Sequence, residues 1–400
     1  MEQWLIVILA TAGLLVRVGL MLYSAGGARA KMASSALIRQ LVDLCVAVLA
    51  LWAVGWAIWS YTGNPVIGLD VRRLIGWDAP EAPVAMESLL VVLLASGPVV
   101  LAISERSRLG AVVVSAVMMG ALVVPVAAHW VWKGWLARMG MVDFGGAAVI
   151  HLAAGVMAAV GAWMVGPRQG KFNRDGSSNV ILGHSVPMAL AGVGLTVVSW
   201  PLYVLAVAAL QGGASMVIPV NVLLAAAAGG TAASVYGQIR IGRIDPTAAC
   251  VGVLGGLVSV TAVAPAIGTL GAVVLGAVAG LLLPPLAVRL ETRHRLDDPG
   301  SIVAIHGIGG LLGVLAAGVM LADPSRGWLA SLGVQALGAV AVIALAGGIG
   351  LIGFGILRAI GRLRVREADE YDGLDLAEHD VNAYPDFQQT MIKSYHLREA

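Results

Sequence analysis

DFGGAAVIHLAAG, from Asp143 to Gly155, returns in altered form as DPGSIVAIHGIGG, from Asp298 to Gly310. Both hold an aspartate, seven residues, a histidine, three residues and a glycine. Each copy opens an apolar run, and a membrane helix needs about 20 such residues. A helix rises about 1.5 Å per residue, so the eight steps from aspartate to histidine climb about 12 Å. With each aspartate at one surface of a hydrocarbon core about 30 Å thick, His151 and His306 reach toward its middle. An ionisable side chain at that depth is expensive and marks function. One buried histidine is as readily a packing residue, but two at equivalent repeat positions argue for a working pair. A neutral imidazole has one donor and one acceptor nitrogen, so two in contact bond to each other and pass a proton. Asp143 and Asp298 read as helix N-caps that accept from free N–H groups of the first turn. Asp143 also lies beside the aromatic stretch AHWVWKGW, residues 128–135.

The rest of the chain fits a membrane solvent. Of its 400 residues 12% are charged and 59% hydrophobic, and that charged share is about half of what a soluble domain carries. This excludes a soluble enzyme, a disordered chain and a nucleic-acid binder. The net charge of +2 implies no polyanionic partner. Cys45 and Cys250 sit in apolar runs, so no disulfide framework is expected, and no metal spacing, cofactor motif or nucleophile elbow stands out. Glycine-rich matches to a dinucleotide fingerprint lie inside apolar spans, where a dinucleotide has no access. The first span starts with Glu2 and lacks a basic leader, which argues against a cleaved signal peptide.

Eleven apolar runs predict an all-α polytopic fold, at 3–24, 36–61, 85–103, 109–130, 145–166, 180–208, 214–238, 247–264, 267–288, 301–321 and 329–360. The last is long enough to continue beyond the bilayer. The longest link, 62–84, falls between the second and third. With the N-terminus outside, 19 of the 25 Lys and Arg lie in inside links and the tail and 5 in outside links, and Arg17 lies in a span. The positive-inside rule then gives N-out and C-in, which needs an odd number of spans. The two motif copies begin the fifth and tenth spans, so spans 1–5 and 6–10 form an inverted five-helix repeat, a plan that places function near the midplane. Residues 1–360 form the membrane domain, and residues 361–400 a polar cytoplasmic tail. Arg17 calls for a partner or a snorkelling path, and neither is readable from the sequence.

These residues resemble the ammonium transporter (Amt/Mep/Rh) family. The likeness is carried by DFGGAAVIH (143–151) and DDPGSIVAIHGIGG (297–310). Weaker support comes from GLMLYSAGGARAKM (19–32), ISERSRL (103–109), GHSVP (183–187), GLVSVTAVAP (256–265) and the tail segment GLDLAEHDVNAYP (373–385). The resemblance implies ammonium or ammonia transport by a homotrimer with one pore per subunit, multi-pass in the inner (cytoplasmic) membrane, without a cofactor or enzymatic activity. His151 and His306 would be the twin-histidine proton relay. Trp132, Tyr203 and Asp143 would belong to the outer recruitment site. The family's stacked phenylalanines above the histidines match Val91 and Tyr203, the gate positions. After Tyr203 the chain reads YVLAVAAL, without the family's polar group until Ser215, so the recruitment site departs from the pattern. The tail, best over 361–385, would contact a PII-type regulatory protein. Its end, QQTMIKSYHLREA (388–400), lies beyond the resemblance and is read on its own as a short docking helix. The altered vestibule beside an intact histidine pair leaves two alternatives: an ammonium sensor with little transport, and a channel for another small neutral solute.

Overall fold

A computed structural model describes residues 3–78 and 81–385. Its regular structure is helical, with two isolated β-bridges, Ser107 to Arg364 and Phe172 to Ser178. Among the described residues ten helices are long and apolar enough to cross a membrane: α1 (Trp4–Gly27), α2 (Ala30–Trp59), α3 (Ala82–Ile103), α4 (Leu109–Arg138), α5 (Ala147–Val165), α6 (Val186–Leu210), α7 (Val217–Ile241), α9 (Thr269–His294), α10 (Pro299–Met320) and α11 (Trp328–Ala359). Between α7 and α9 lies a shorter apolar helix, α8 (Pro246–Val260). Two short helices, α12 (Glu367–Asp372) and α13 (Leu374–His379), follow in the tail. The expected docking helix at 388–400 lies outside the described residues.

The apolar run at 247–264 yields a helix that stops at Val260. The next carbonyls have other partners: Thr261 O accepts from Gly145 N (3.1 Å) and Ala262 O from Phe144 N (3.2 Å). The Asn221 amide on α7 donates to Ala264 O (2.9 Å) and Ile267 O (2.7 Å). Backbone groups without water must be satisfied inside the protein, and here side chain and loop do it.

Helices α7, α8 and α9 pack on one another, α1 lies along α6, and α5 is held by α3, α10 and α11. Large apolar side chains remain exposed along the outer faces, among them Trp163, Ile239, Leu270, Val340 and Ile352. On a water-soluble protein such a surface would aggregate; against lipid it costs nothing.

The tail folds back onto the same end of the bundle. The Asp375 carboxylate accepts from Ser34 N (3.0 Å) and Ser35 N (2.6 Å) in the first turns of α2. Glu378 pairs with the buried Arg39 (2.6 Å), and Glu370 with Arg364 (2.8 Å). Behind it, Arg168 bridges Glu105 (2.6 Å) and Asp297 (2.8 Å). Burial pushes the Asp297 carboxyl up, but the Arg106 and Arg168 guanidinium groups outweigh it and hold it down to about 2.

Candidate pore site

The two motif copies build the same local structure. Left-handed backbone follows each aspartate, at Gly146 (φ 92°) just before α5 and at Gly300 (φ 70°) and Ser301 (φ 54°) in the first turn of α10. Asp143 then accepts from Ala147 N (2.6 Å), Ala148 N (2.9 Å) and Val149 N (3.2 Å). Asp298 accepts from Ile302 N (3.0 Å) and Val303 N (2.7 Å). Both aspartates are therefore caps, as the motif predicts. Burial pushes Asp143 up to about 6 and Asp298 up to about 7, against the downward pull of these N–H groups. Each helix then contains a wide π turn, over Ala147–Leu152 at the start of α5 and Val303–Ile308 in α10. Such turns are rare and frequently mark functional sites.

His151 and His306 sit within those turns, the first fully buried and the second nearly so. They meet Nδ1 to Nδ1 at 2.9 Å, with ring centroids 5.0 Å apart. The approach depends on Gly155. A Cβ there would lie 2.1 Å from the Gly307 nitrogen, so only glycine lets α5 and α10 cross this closely. Among the described residues the Nε2 atom of His151 has no partner.

Trp200 of α6 stacks on the His151 ring (centroids 4.9 Å, 26° between planes) and donates to Thr261 Oγ1 (3.2 Å). Tyr203 meets Trp200 edge-on at 5.6 Å. It is fully buried, and its hydroxyl donates to Gly145 O (2.8 Å). Trp132 donates to Asp143 O (2.6 Å) and packs edge-on against Trp59 (5.4 Å). The three expected recruitment residues thus converge on one turn, 143–145. Val91 is fully buried on α3. Ser215 is exposed in the link before α7.

Three relevant residues, Trp200, Glu87 and Asp43, escaped the sequence reading. Trp200 stands three positions before Tyr203, hence on the same helix face, and that spacing was the available signal. Glu87 accepts from Gln211 (3.1 Å), and its charge interacts with Lys133 and Tyr203. It lies four residues before Val91, one turn nearer the start of α3. The partner of Arg17 is Asp43 (2.5 Å), which also accepts from Ser96 (2.7 Å). An isolated acid in one span and an isolated base in another was the only cue.

Membrane-length helices packed around two mutually bonded imidazoles define a polytopic membrane protein with an ionisable pair in its core. The model of the Ammonium Transporter Family matches residues 4–384. The chain is similar to "Ammonium transporter Amt2" of Haloferax mediterranei, 31% identical, covering 92% of this chain and 86% of that one. Among solved structures it is similar to a "Sensor Amt Protein" (TM-score 0.87, 29% identity, covering 94% of this chain and 97% of that one). It is also similar to Candida albicans Mep2 (TM-score 0.77, 25% identity, covering 92% and 88%). The chain belongs to the Ammonium Transporter Family.

Proposed function

We propose that this protein moves ammonium or ammonia across the membrane through a pore centred on His151 and His306. The observation that carries the reading is their direct 2.9 Å contact in the buried core. A bare cation pays heavily in such a medium, whereas ammonia is neutral and small. The cation gives up its proton at the outer mouth, ammonia passes the imidazoles, and the proton travels separately along them. Trp132, Tyr203 and Asp143 shape the outer mouth, and Val91 and Tyr203 occupy its gate. Glu87 adds a negative charge that raises the local cation concentration. Eleven crossings with N-out and C-in, an inverted repeat of spans 1–5 and 6–10, a homotrimer in the inner membrane and a tail (361–400) read by a PII-type protein complete the proposal. The clamped tail supports the regulatory part, because a partner binding there reaches the ends of α2, α3 and α5.

The test is uptake of radiolabelled methylammonium by cells lacking other carriers, with His151→Ala and His306→Ala beside the parent. Uptake by the parent and its loss in both variants is expected. No uptake at any concentration, with protein in the membrane, sinks the proposal. The similarity to the Sensor Amt Protein favours a second reading, in which ammonium is bound and little is carried. Ammonium binding by calorimetry without flux would select it.

A further inference from the structure

At the tail end of the bundle, the last turns of α5 and α11 and the link after α11 enclose a recess of about 410 Å³. Ligand sites run from roughly 300 to 1,000 Å³. Trp163, Met164, Gly166, Arg358, Leu363 and Arg364 line it. Its lining holds two arginines and no carboxylate, whereas the recess beside Arg108 also holds Asp369 and Glu378. Arg364 is partly spent: it donates to Val165 O (3.0 Å) and pairs with Glu370 of α12 (2.8 Å). Arg358 is not. It is exposed, and its hydrogen bond is a weak one to Met164 Sδ (3.9 Å). Among the described residues no carboxylate pairs with it.

The recess opens on a face that lipid covers. Trp163 is 63% exposed, and its indole N–H has no partner among the described residues. An exposed indole with an unspent donor is what the boundary between hydrocarbon and water selects. A shallow furrow between α5 and α11 leads from the recess toward the middle of the bundle. Gly348 and Gly355 stand seven residues apart, hence on one face of α11. A Cβ at Gly348 would meet nothing within 4 Å, and one at Gly355 only the end of Met164, at 3.8 Å. Leu351 between them is exposed. Met164 also lines the recess, so furrow and recess are continuous.

We propose that this recess holds the headgroup of one anionic phospholipid, with its phosphate on Arg358 and an acyl chain in the furrow along Gly348 and Gly355. A guanidinium presents paired N–H donors that match two phosphate oxygens. The Trp163 N–H adds a donor at the rim. Basic recesses between membrane helices favour anionic headgroups, and Arg358 repels the cation of a zwitterionic one. A soluble phosphate would use the arginine alone; the exposed indole and the furrow beside it suit a molecule with a tail. Arg364 lines the recess and holds Glu370, so the bound lipid adjoins the clamp on the tail.

The experiment is native mass spectrometry of the full chain in detergent, titrated with phosphatidylglycerol or with phosphatidylcholine of the same chains. The parent is compared with Arg358→Gln, with Trp163→Leu and, as a control, with Arg243→Gln, an exposed arginine outside the recess. The first phosphatidylglycerol should bind the parent about tenfold tighter than the first phosphatidylcholine. Arg358→Gln should weaken it roughly fivefold, the scale of one arginine near an anionic surface. Trp163→Leu should weaken it by a smaller factor, and Arg243→Gln should leave it unchanged. Equal affinity of the parent for the two lipids overturns the assignment. So does an equal loss in Arg358→Gln and Arg243→Gln, which is a general effect of charge. Excess glycerol phosphate should not displace the lipid; displacement makes the recess a site for a soluble anion and overturns the assignment. If Arg358→Gln does not assemble, Trp163→Leu decides, and affinity equal to the parent's overturns the assignment.

Discussion

The Nδ1 atoms of His151 and His306 lie 2.9 Å apart, so in the neutral pair one carries the shared proton and the other accepts it. The two rings must therefore be opposite tautomers. The ring that accepts at Nδ1 carries its own hydrogen on Nε2. We predict that nitrogen NMR of histidine-labelled protein finds one Nδ1 of each kind, protonated and bare. Two identical tautomers would show that the pair is not hydrogen-bonded at rest and would remove the basis for a relay.

Tyr203→Phe should lower stability without abolishing uptake. The hydroxyl is the donor to Gly145 O in a fully buried turn, and its loss leaves that carbonyl short of one partner. A cost of about 1–3 kcal/mol is expected. The readout is the unfolding temperature in detergent beside methylammonium uptake. An unchanged temperature would mean that the hydroxyl contributes nothing to the turn.

Asp375→Ala should release the tail. Its carboxylate is the acceptor for Ser34 N and Ser35 N, a cap on α2 supplied from the tail. Removing a capping side chain costs on the order of 1 kcal/mol. Limited trypsin digestion near Arg364 and Arg366 should then proceed faster than in the parent. Equal digestion rates would place the hold on the tail elsewhere, on Glu370 or Glu378.

Acid should weaken the charge cluster at the tail end. The Asp297 carboxyl is held down to about 2, from 3.8, by Arg106 and Arg168 despite its burial. A depressed carboxylate stabilises the fold above its unfolded pKa, and that contribution disappears as pH falls from about 4 to about 2. At about 1.4 kcal/mol per unit the loss is roughly 2 kcal/mol. Between pH 6 and pH 3 the unfolding temperature should fall more steeply for the parent than for Asp297→Asn, which starts lower. Parallel curves would show that Asp297 does not supply the acid sensitivity.

The histidine pair was legible because its signal is a repeat. Two aspartates as caps and two histidines eight residues on place both imidazoles at similar depths, whatever the packing. The surroundings of Trp132 and Tyr203 were less legible. The resemblance implied an outer recruitment site for them, and their polar atoms turn out to be spent on Asp143 O and Gly145 O. A hydrogen bond to a backbone carbonyl 11 or 58 residues away leaves no trace in local pattern.

By itself, the sequence determined the solvent, the helical class and the depth of the histidines. Each follows from one-dimensional quantities: the length of apolar runs, the fixed rise of a helix, and the cost of charge in hydrocarbon. Tertiary structure alone decided the Nδ1-to-Nδ1 contact, the stacking of Trp200 on His151, the early end of α8 and the partnership of Arg17 with Asp43. Each joins groups on different helices, or a helix to a loop. Their meeting depends on how closely those elements pack, and so on glycines such as Gly155 and Gly97, whose role appears only when the neighbouring atoms are in place.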